Sequence, residues 1–373
     1  MKFTVLQENL SKAINIASKA VSTKPGLPVL SNILIEAIDN KVEFSSTDLE
    51  LGIITWIPAE IEVPGKITVS ARTLSDFINS LGSGKLSLYM EGTVLKVKGA
   101  NSHANFNVIP ADEFPEIPHD LDKQIFSVNA LTFCTALDKV VFAAALDDTR
   151  PILTGILFEA KEDGLSLVGV DGFRLSKTKL NVEHIDSKFN EVIPAKALNE
   201  ISKVAKEADE SDVIELYSIK GNNQVVFKFR ESTFVSRLID GEFPEYRDIL
   251  PESKVLELSF NKEKFNDAIK IINIFARNIV GNKTIFNIDT LDSKLTMSAS
   301  LAEVGSDEVT LEVEGVKGTD MQIGYSAKYL ADMAASMDGE IITFETNGST
   351  APGKFFSPDN ENYFHIIMPM RLD

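Results

Sequence analysis

The 373-residue chain carries 37 Lys and Arg against 55 Asp and Glu, a formal net charge of −18, with 44% hydrophobic and 25% charged residues. That is a globular composition long enough for two or three cores, and its acidic balance excludes a surface uniformly attractive to nucleic acid. One cysteine (Cys134) rules out an internal disulfide, and His103, His119, His184 and His365 lack zinc-ligand spacing, so thiol and metal chemistry drop out.

The N-terminus, MKFTVLQENL, lacks the charged and apolar regions of a signal peptide, and no window of the chain is apolar enough to span a bilayer. A cytoplasmic protein without membrane contact is expected. From this N-terminus onward, six stretches run from a strand straight into a helix: FTVLQENL, ITVSARTL, FSVNALTF, EVIPAKAL, LSFNKEKF and IGYSAKYL. Each places an apolar strand residue five positions before an apolar helix residue, in the pairs Val5/Leu10, Val69/Leu74, Val128/Phe133, Ile193/Leu198, Phe260/Phe265 and Tyr325/Leu330. Successive copies are 64, 59, 65, 67 and 65 residues apart, the mark of an internal repeat.

Helices are expected at 9–21, 72–81, 131–144, 195–208, 262–277 and 327–337. After each comes alternating, strand-like sequence such as LSLYMEGTVLKVKG (86–99) and LSLVGVDGFRLSKTKL (165–180), turned at Gly and Asn. A single β-α-β-β-β repeat has too little core to stand alone, so repeats should pair into three similar α+β domains. Matched loops, DEFPEIPHDLDKQ (112–124) and GEFPEYRDILPESK (241–254), put the joints between domains 1–120, 121–252 and 253–373. Cys134 falls on an apolar helical position and reads as a buried structural thiol.

The charges are unevenly spread. The six helices hold 12 basic and 7 acidic residues, a net +5, which leaves −23 on the rest of a chain whose total is −18. The basic members are Lys12, Lys19, Arg72, Lys139, Lys196, Lys203, Lys206, Lys262, Lys264, Lys270, Arg277 and Lys328. Helices gathered on one side of the sheets would offer a positive track for loose, salt-dependent phosphate contact without base reading.

Against an enzyme, the chain holds no phosphate loop, dinucleotide fingerprint, H-E-x-x-H or G-x-S-x-G. Asp147, Asp148 and Asp171 form the acidic set that a hydrolase would use, but Val170-Asp171-Gly172 reads more simply as a strand entering a tight turn. No catalytic residue, metal or cofactor is expected. A repeat scaffold that binds proteins and not DNA stays open as a rival, with the acidic charge in its favour.

Over its whole length the chain resembles the bacterial sliding clamps, the beta subunits of DNA polymerase III. The resemblance rests on MKFTVLQENLSKAI, LPVLSNILIEA, VDGFRLS, DGEFPEYRDILP and the closing IIMPMRL, in that order. It implies a non-enzymatic processivity factor: a head-to-tail homodimer forming a ring around duplex DNA, helices inside and sheets outside. The implied partners are DNA, a replicative polymerase, an ATP-driven clamp loader and other proteins carrying clamp-binding motifs.

By the same resemblance, Lys24, Arg72, Lys196, Lys203 and Arg277 face DNA, and Pro151 and Ile152 stand where some members carry DNA-contacting aromatics. A peptide groove would take Leu153, Val170, Gly172, Phe173, Arg174 and Leu175 from the middle of the chain, with Pro244 and Ile249 from the second joint. Ile366, Met368, Pro369, Met370, Arg371 and Leu372 would complete it from the tail. Phe173 replaces a histidine of well-known members and Asp248 a common arginine, making one end of the groove more apolar and the other more acidic. The subunit joint would bring NSHANFNV (101–108), Phe106 above all, against Ile271, Ile272 and Glu303. Asp373 extends one residue past the usual Arg-Leu ending.

Overall fold

The computed structural model describes residues 1–22, 26–118, 120–162, 164–182, 184–185, 188–219, 221–250, 254–301 and 305–372. Lys24, Glu303 and Asp373, all singled out above, lie outside the described residues.

Six β-α-β-β-β repeats follow one another. The first is β1 (Lys2–Leu6), α1 (Gln7–Ala17), β2 (Asn32–Ile38), β3 (Lys41–Thr47) and β4 (Leu51–Pro58), followed by a short β5 (Glu60–Val63). The second is β6 (Gly65–Ser70), α2 (Ala71–Ser80), β7 (Lys85–Glu91), β8 (Val94–Lys98) and β9 (His103–Ile109). The third is β10 (Leu121–Asn129), α3 (Ala130–Val140), β11 (Gly155–Lys161), β12 (Gly164–Val170) and β13 (Arg174–Leu180), with a two-residue β14 (His184–Ile185) after it. The fourth is β15 (Phe189–Pro194), α4 (Ala195–Ala205), β16 (Val213–Ile219), β17 (Gln224–Phe229) and β18 (Ser232–Arg237). The fifth is β19 (Leu256–Asn261), α5 (Lys262–Ala276), β20 (Lys283–Asp289), β21 (Lys294–Leu301) and β22 (Gly305–Glu312), then β23 (Glu314–Lys317). The sixth is β24 (Met321–Ser326), α6 (Ala327–Ser336), β25 (Ile341–Thr346), β26 (Gly353–Ser357) and β27 (Asn360–Ile367).

All six helices start within two residues of their expected positions. Some stop sooner: α1 and α3 tighten into 3-10 turns, Ser18–Ala20 and Val141–Ala143, which satisfy terminal carbonyls without extending the α-helix. The apolar stripe predicted on α1 is buried at Leu10, Ala13, Ile14 and Ala17, and α5 is capped by the Asn261 side chain accepting from the Lys264 N–H at 3.0 Å. The three short strands were not foreseen. Each pairs with the first strand of its own pair of repeats: β5 with β1, β14 with β10, β23 with β19.

Pairing of repeats takes the form of strand exchange. The opening strand of one repeat lies antiparallel to the first strand after the helix of its neighbour, as in β1 with β7, β2 with β6, β10 with β16, β11 with β15, β19 with β25 and β20 with β24. Two compact bodies result. One comprises Met1–Phe133, Val182–Lys188 and Lys196–Leu238, and the other Cys134–Asn181, Phe189–Ala195 and Ile239–Asp373. The first holds a 14-stranded sheet in which β18 joins β4, and the second a nine-stranded sheet, in which β13 joins β27, together with a four-stranded sheet of β22, β21, β20 and β24. In each body the helical stripes close over sheet: Leu10, Ile14, Leu74 and Ile78 among Phe3, Ile35 and Phe44, and Phe265, Ile272, Leu330 and Met333 among Phe286, Tyr325 and Phe344. Cys134 is buried, as expected of a structural thiol.

One buried group resists this apolar logic. His365 on β27 is fully buried, and neither ring nitrogen has a hydrogen-bond partner. Its ring stacks on Phe142, centroids 5.5 Å apart. Burial, with a smaller push from the Arg174 guanidinium, holds its pKa down to about 3. An unfolded histidine takes up a proton near pH 6.5, whereas this one stays neutral until about 3, so the unfolded chain binds more protons in that window and stability falls as pH falls. Acidification from pH 7 to pH 5 should therefore cost about 2 kcal/mol through this residue alone. His365→Phe, which installs the residue found at the matching place on β18 (Phe234), should narrow the gap between thermal midpoints measured at the two pH values. An unchanged gap would show that His365 does not set the acid response.

Candidate functional site

The end of the chain is clasped. After β27 pairs Ile366 with Leu175 and Ile367 with Arg174, the Met368 N–H donates to the Phe173 carbonyl at 2.8 Å and the Met370 N–H to the Gly324 carbonyl at 2.8 Å. Lys283 then donates its Nζ to the carbonyls of Arg371 and Leu372, at 3.3 and 3.2 Å. Two glycines let the tail lie close at the clasp. A Cβ on Gly324 would lie 2.9 Å from the Met370 carbonyl oxygen and 3.2 Å from Leu372 Cδ2, and one on Gly281 would strike the Met370 methyl.

Beneath and beside the tail, the expected groove residues divide into two kinds. Leu153, Val170, Leu175 and Ile366 are buried in one cluster with Leu157, Val168, Val192 and Tyr246, with Ile152, Phe243 and Ile249 packed partly buried around it. They are a floor, without surface of their own to offer, because their strand and turn positions point into the cluster. The accessible residues are Phe173, 61% exposed, with Pro244, Arg371 and Leu372 exposed and Met368, Pro369, Met370 and Ile249 half-buried. Methionines and an open aromatic ring over an apolar floor suit short apolar peptide segments.

Arg174, also expected in the groove, is held from within the chain. It is buried, and its donors are taken: Nε to Asp171 Oδ2 at 3.0 Å, Nη1 to Asp332 Oδ2 at 2.6 Å and Nη2 to the Phe142 carbonyl at 2.6 Å. Its guanidinium lies between the rings of Phe142 and Tyr329, 5.2 and 4.4 Å from their centroids. Asp171 is structural too, its Oδ1 accepting from the N–H groups of Phe173 and Arg174 at 2.8 and 2.9 Å across a turn in which Gly172 takes φ of +92°. The hydrolase reading loses this aspartate. Among the described residues no group of three or more His, Cys, Asp or Glu could hold a metal.

The basic helix residues are less free than counting suggests. Lys139 is nearly buried, ion-paired with Asp338 and 5.3 Å from the Tyr363 ring centroid, so it belongs to no track. Lys196 pairs with Asp48 at 2.7 Å, Lys203 with Glu200 at 2.7 Å, Lys19 with Glu200 at 3.9 Å, Lys12 with Glu207 at 3.6 Å and Lys270 with Asp267 at 2.9 Å. Burial pushes the Asp48 carboxyl up, but hydrogen bonds from Lys196 and from the Leu51 and Glu50 N–H groups outweigh it and hold the group below its ordinary value. Among the described residues, Arg72, Lys264, Arg277 and Lys328 carry no ion pair. Sequence reading missed the carboxylates, whose partners are mostly distant in the chain. It also missed Gly324, whose only signal is the absence of a side chain where the matching strands carry Thr68 and Val192.

At the expected subunit joint, Ile272 is fully buried in its own core and Phe106 nearly so, edge-on to Phe77 at 5.7 Å. α5 turns Ile271 and Ile274 outward instead, 45% and 52% exposed. Two strand edges stand open: β9 pairs β6 only at Val108 and Ile109, and β22 is an edge of the four-stranded sheet.

Comparison with known proteins matches this architecture. The DNA polymerase III beta subunit patterns for the N-terminal, central and C-terminal domains match residues 1–118, 127–245 and 247–371. The beta sliding clamp of Bacillus subtilis is 28% identical over 382 residues, covering all of both chains, and that of Staphylococcus epidermidis 26% over 380 residues, covering 100% of this chain and 99% of the other. The crystal structure of the Bacillus subtilis clamp superposes with a TM-score of 0.95 at 26% identity, and that of the DNA polymerase III beta subunit of Thermotoga maritima with 0.93 at 26%, each over the full length of both chains. With its three domains matched in order along nearly the whole sequence, the chain belongs to the DNA polymerase III beta subunit family, the beta sliding clamps.

Proposed function

We propose that two copies of this chain join head to tail into a ring that encircles duplex DNA, slides on it without reading sequence, and tethers a replicative polymerase and other motif-bearing proteins through the tail groove. Membership in the clamp family makes the chain a processivity factor and not an enzyme, with DNA, a polymerase and dimerisation as its business. The finer assignments are ours: domains at 1–120, 121–252 and 253–373, a cytoplasmic location, and opening by a separate ATP-driven loader, since the sequence holds no phosphate loop of its own.

One observation carries the DNA reading. The second residue of each even-numbered helix is a cation, Arg72, Lys196 and Lys328, so the repeat itself distributes positive charge at matching places. With Lys203 and Arg277, and Lys24 by resemblance alone, these give a few phosphate contacts on a chain of net charge −18. Weak contacts suit a ring, because topology prevents escape and tight ones would impede sliding. On this reading, protein loaded on a nicked circle is retained and runs off once the circle is cut. Equal retention on both would rule out encirclement.

The joint is proposed to add β22 of one copy to the open edge of β9 in the other, with Ile271 and Ile274 covering the seam, which consumes two strand edges at once. Light scattering should give twice 41.0 kDa. Ile274→Asp should weaken association about tenfold or more; a monomeric wild type, or an undiminished dimer in the variant, would refute the joint.

For the groove, Met370→Ala should cost a bound apolar peptide about 1–3 kcal/mol by calorimetry. Gly324→Ala, which presses on the Met370 carbonyl and Leu372, should weaken binding in the same direction and leave the dimer mass unchanged. Unaltered peptide affinity in both variants would remove the tail from the groove.

A further inference from the structure

Between α1 and α4 runs a crevice of about 320 Å³ lined by Lys12, Lys19 and Lys203, and by Glu8 and Glu207. Each of these lysines faces a carboxylate of α4 or of the turn that follows it. Glu200 takes Lys203 through Oε1 at 2.7 Å and reaches Lys19, on the 3-10 turn after α1, through Oε2 at 3.9 Å. Glu207 takes Lys12 at 3.6 Å. Two of the three pairs are thus longer than a hydrogen bond, and all three lysines keep solvent access, the least exposed retaining 28%. Glu200 is the more enclosed partner, its side chain 19% exposed, so it stays in place while the lysines are able to move.

We infer that Glu200 and Glu207 act as internal substitutes for a DNA phosphate, occupying the three lysines until a phosphodiester oxygen displaces them. This rests on the DNA reading above and adds the residues that set how firmly the helices hold. A lysine that exchanges a carboxylate for a phosphate gains only the difference between two solvated ion pairs, each of them small. Contact then forms and breaks with little change in free energy as the backbone passes, the condition for sliding. Lys196 is restrained in the same way by Asp48 at 2.7 Å, whereas its repeat counterparts Arg72 and Lys328 carry no ion pair. The restraint is therefore not a general property of that helix position in the repeat.

The test uses the full-length protein and a short linear duplex that threads the ring from its ends, with affinity followed by fluorescence anisotropy over a salt series. Glu200→Gln releases two lysines and keeps the side chain's shape. It should tighten binding and steepen the slope of log affinity against log salt by about 2. Glu361→Gln, at an exposed carboxylate of β27 that carries no ion pair, changes net charge equally and should do neither. Adding Lys19→Ala and Lys203→Ala to Glu200→Gln should cancel the gain. If Glu200→Gln behaves as Glu361→Gln does, the substitution role is wrong and Glu200 only supports its helix. A wild-type protein equally retained on circular and linearised DNA would instead overturn encirclement, a failure separable from the first. Peptide affinity, unchanged in every variant, verifies that the fold survives.

Discussion

Strand exchange between neighbouring repeats is the constraint on which the rest depends. A lone β-α-β-β-β repeat would leave the edge of its second strand open and an apolar helical stripe half covered, a poor basis for a stable core. When β6 fills the edge of β2 while β1 fills that of β7, each helix lies on sheet built from two repeats, and neither half closes without the other. The same exchange recurs at β11 with β15 and at β19 with β25. Repeats therefore come in pairs, and pairs are then welded into longer sheets through β4 with β18 and β13 with β27, which leaves few edges to protect.

What could be read from sequence follows from this. The opening strand and its helix must fit a partner repeat, so their apolar spacing is constrained in all six copies, and the helix starts were legible to within two residues. β5, β14 and β23 were not, because strands of two to four residues on a sheet edge carry too few buried positions to show a period. Site residues divided along a similar line. Motif position singled out the tail and Phe173, which is exposed, but the burial of Ile272 and Arg174 depends on which side of a helix or strand meets a core, and Asp332 lies 158 residues from the guanidinium it binds.

Charge was the most deceptive quantity. Counting gives the helices a net +5, yet pairing removes much of what that number suggests, since Lys139 is buried on Asp338 and Lys19 shares Glu200 with Lys203. A sum treats every cation as available. Contact with a polyanion depends on which cations can leave their present partners at small cost, and that is set by distance and exposure.

The ordered tail has its explanation in the repeat as well. Ile109 pairs with Thr68 on β6, the Ile239 N–H donates to the Val192 carbonyl at 2.9 Å beside β15, and the Met370 N–H donates to the Gly324 carbonyl at 2.8 Å on β24. These are one contact in three copies. The step before it repeats too, since the Arg237 N–H donates to the Glu50 carbonyl at 2.9 Å as that of Met368 does to Phe173. The tail is thus held by the clasp that elsewhere closes a repeat before the chain passes on. In this third copy the strand residue is glycine and the clasping residue methionine, so the backbone sits close while a flexible apolar side chain remains near the surface. A fixed backbone and an adaptable side chain are what the proposed binding wall needs, and these two residues supply them.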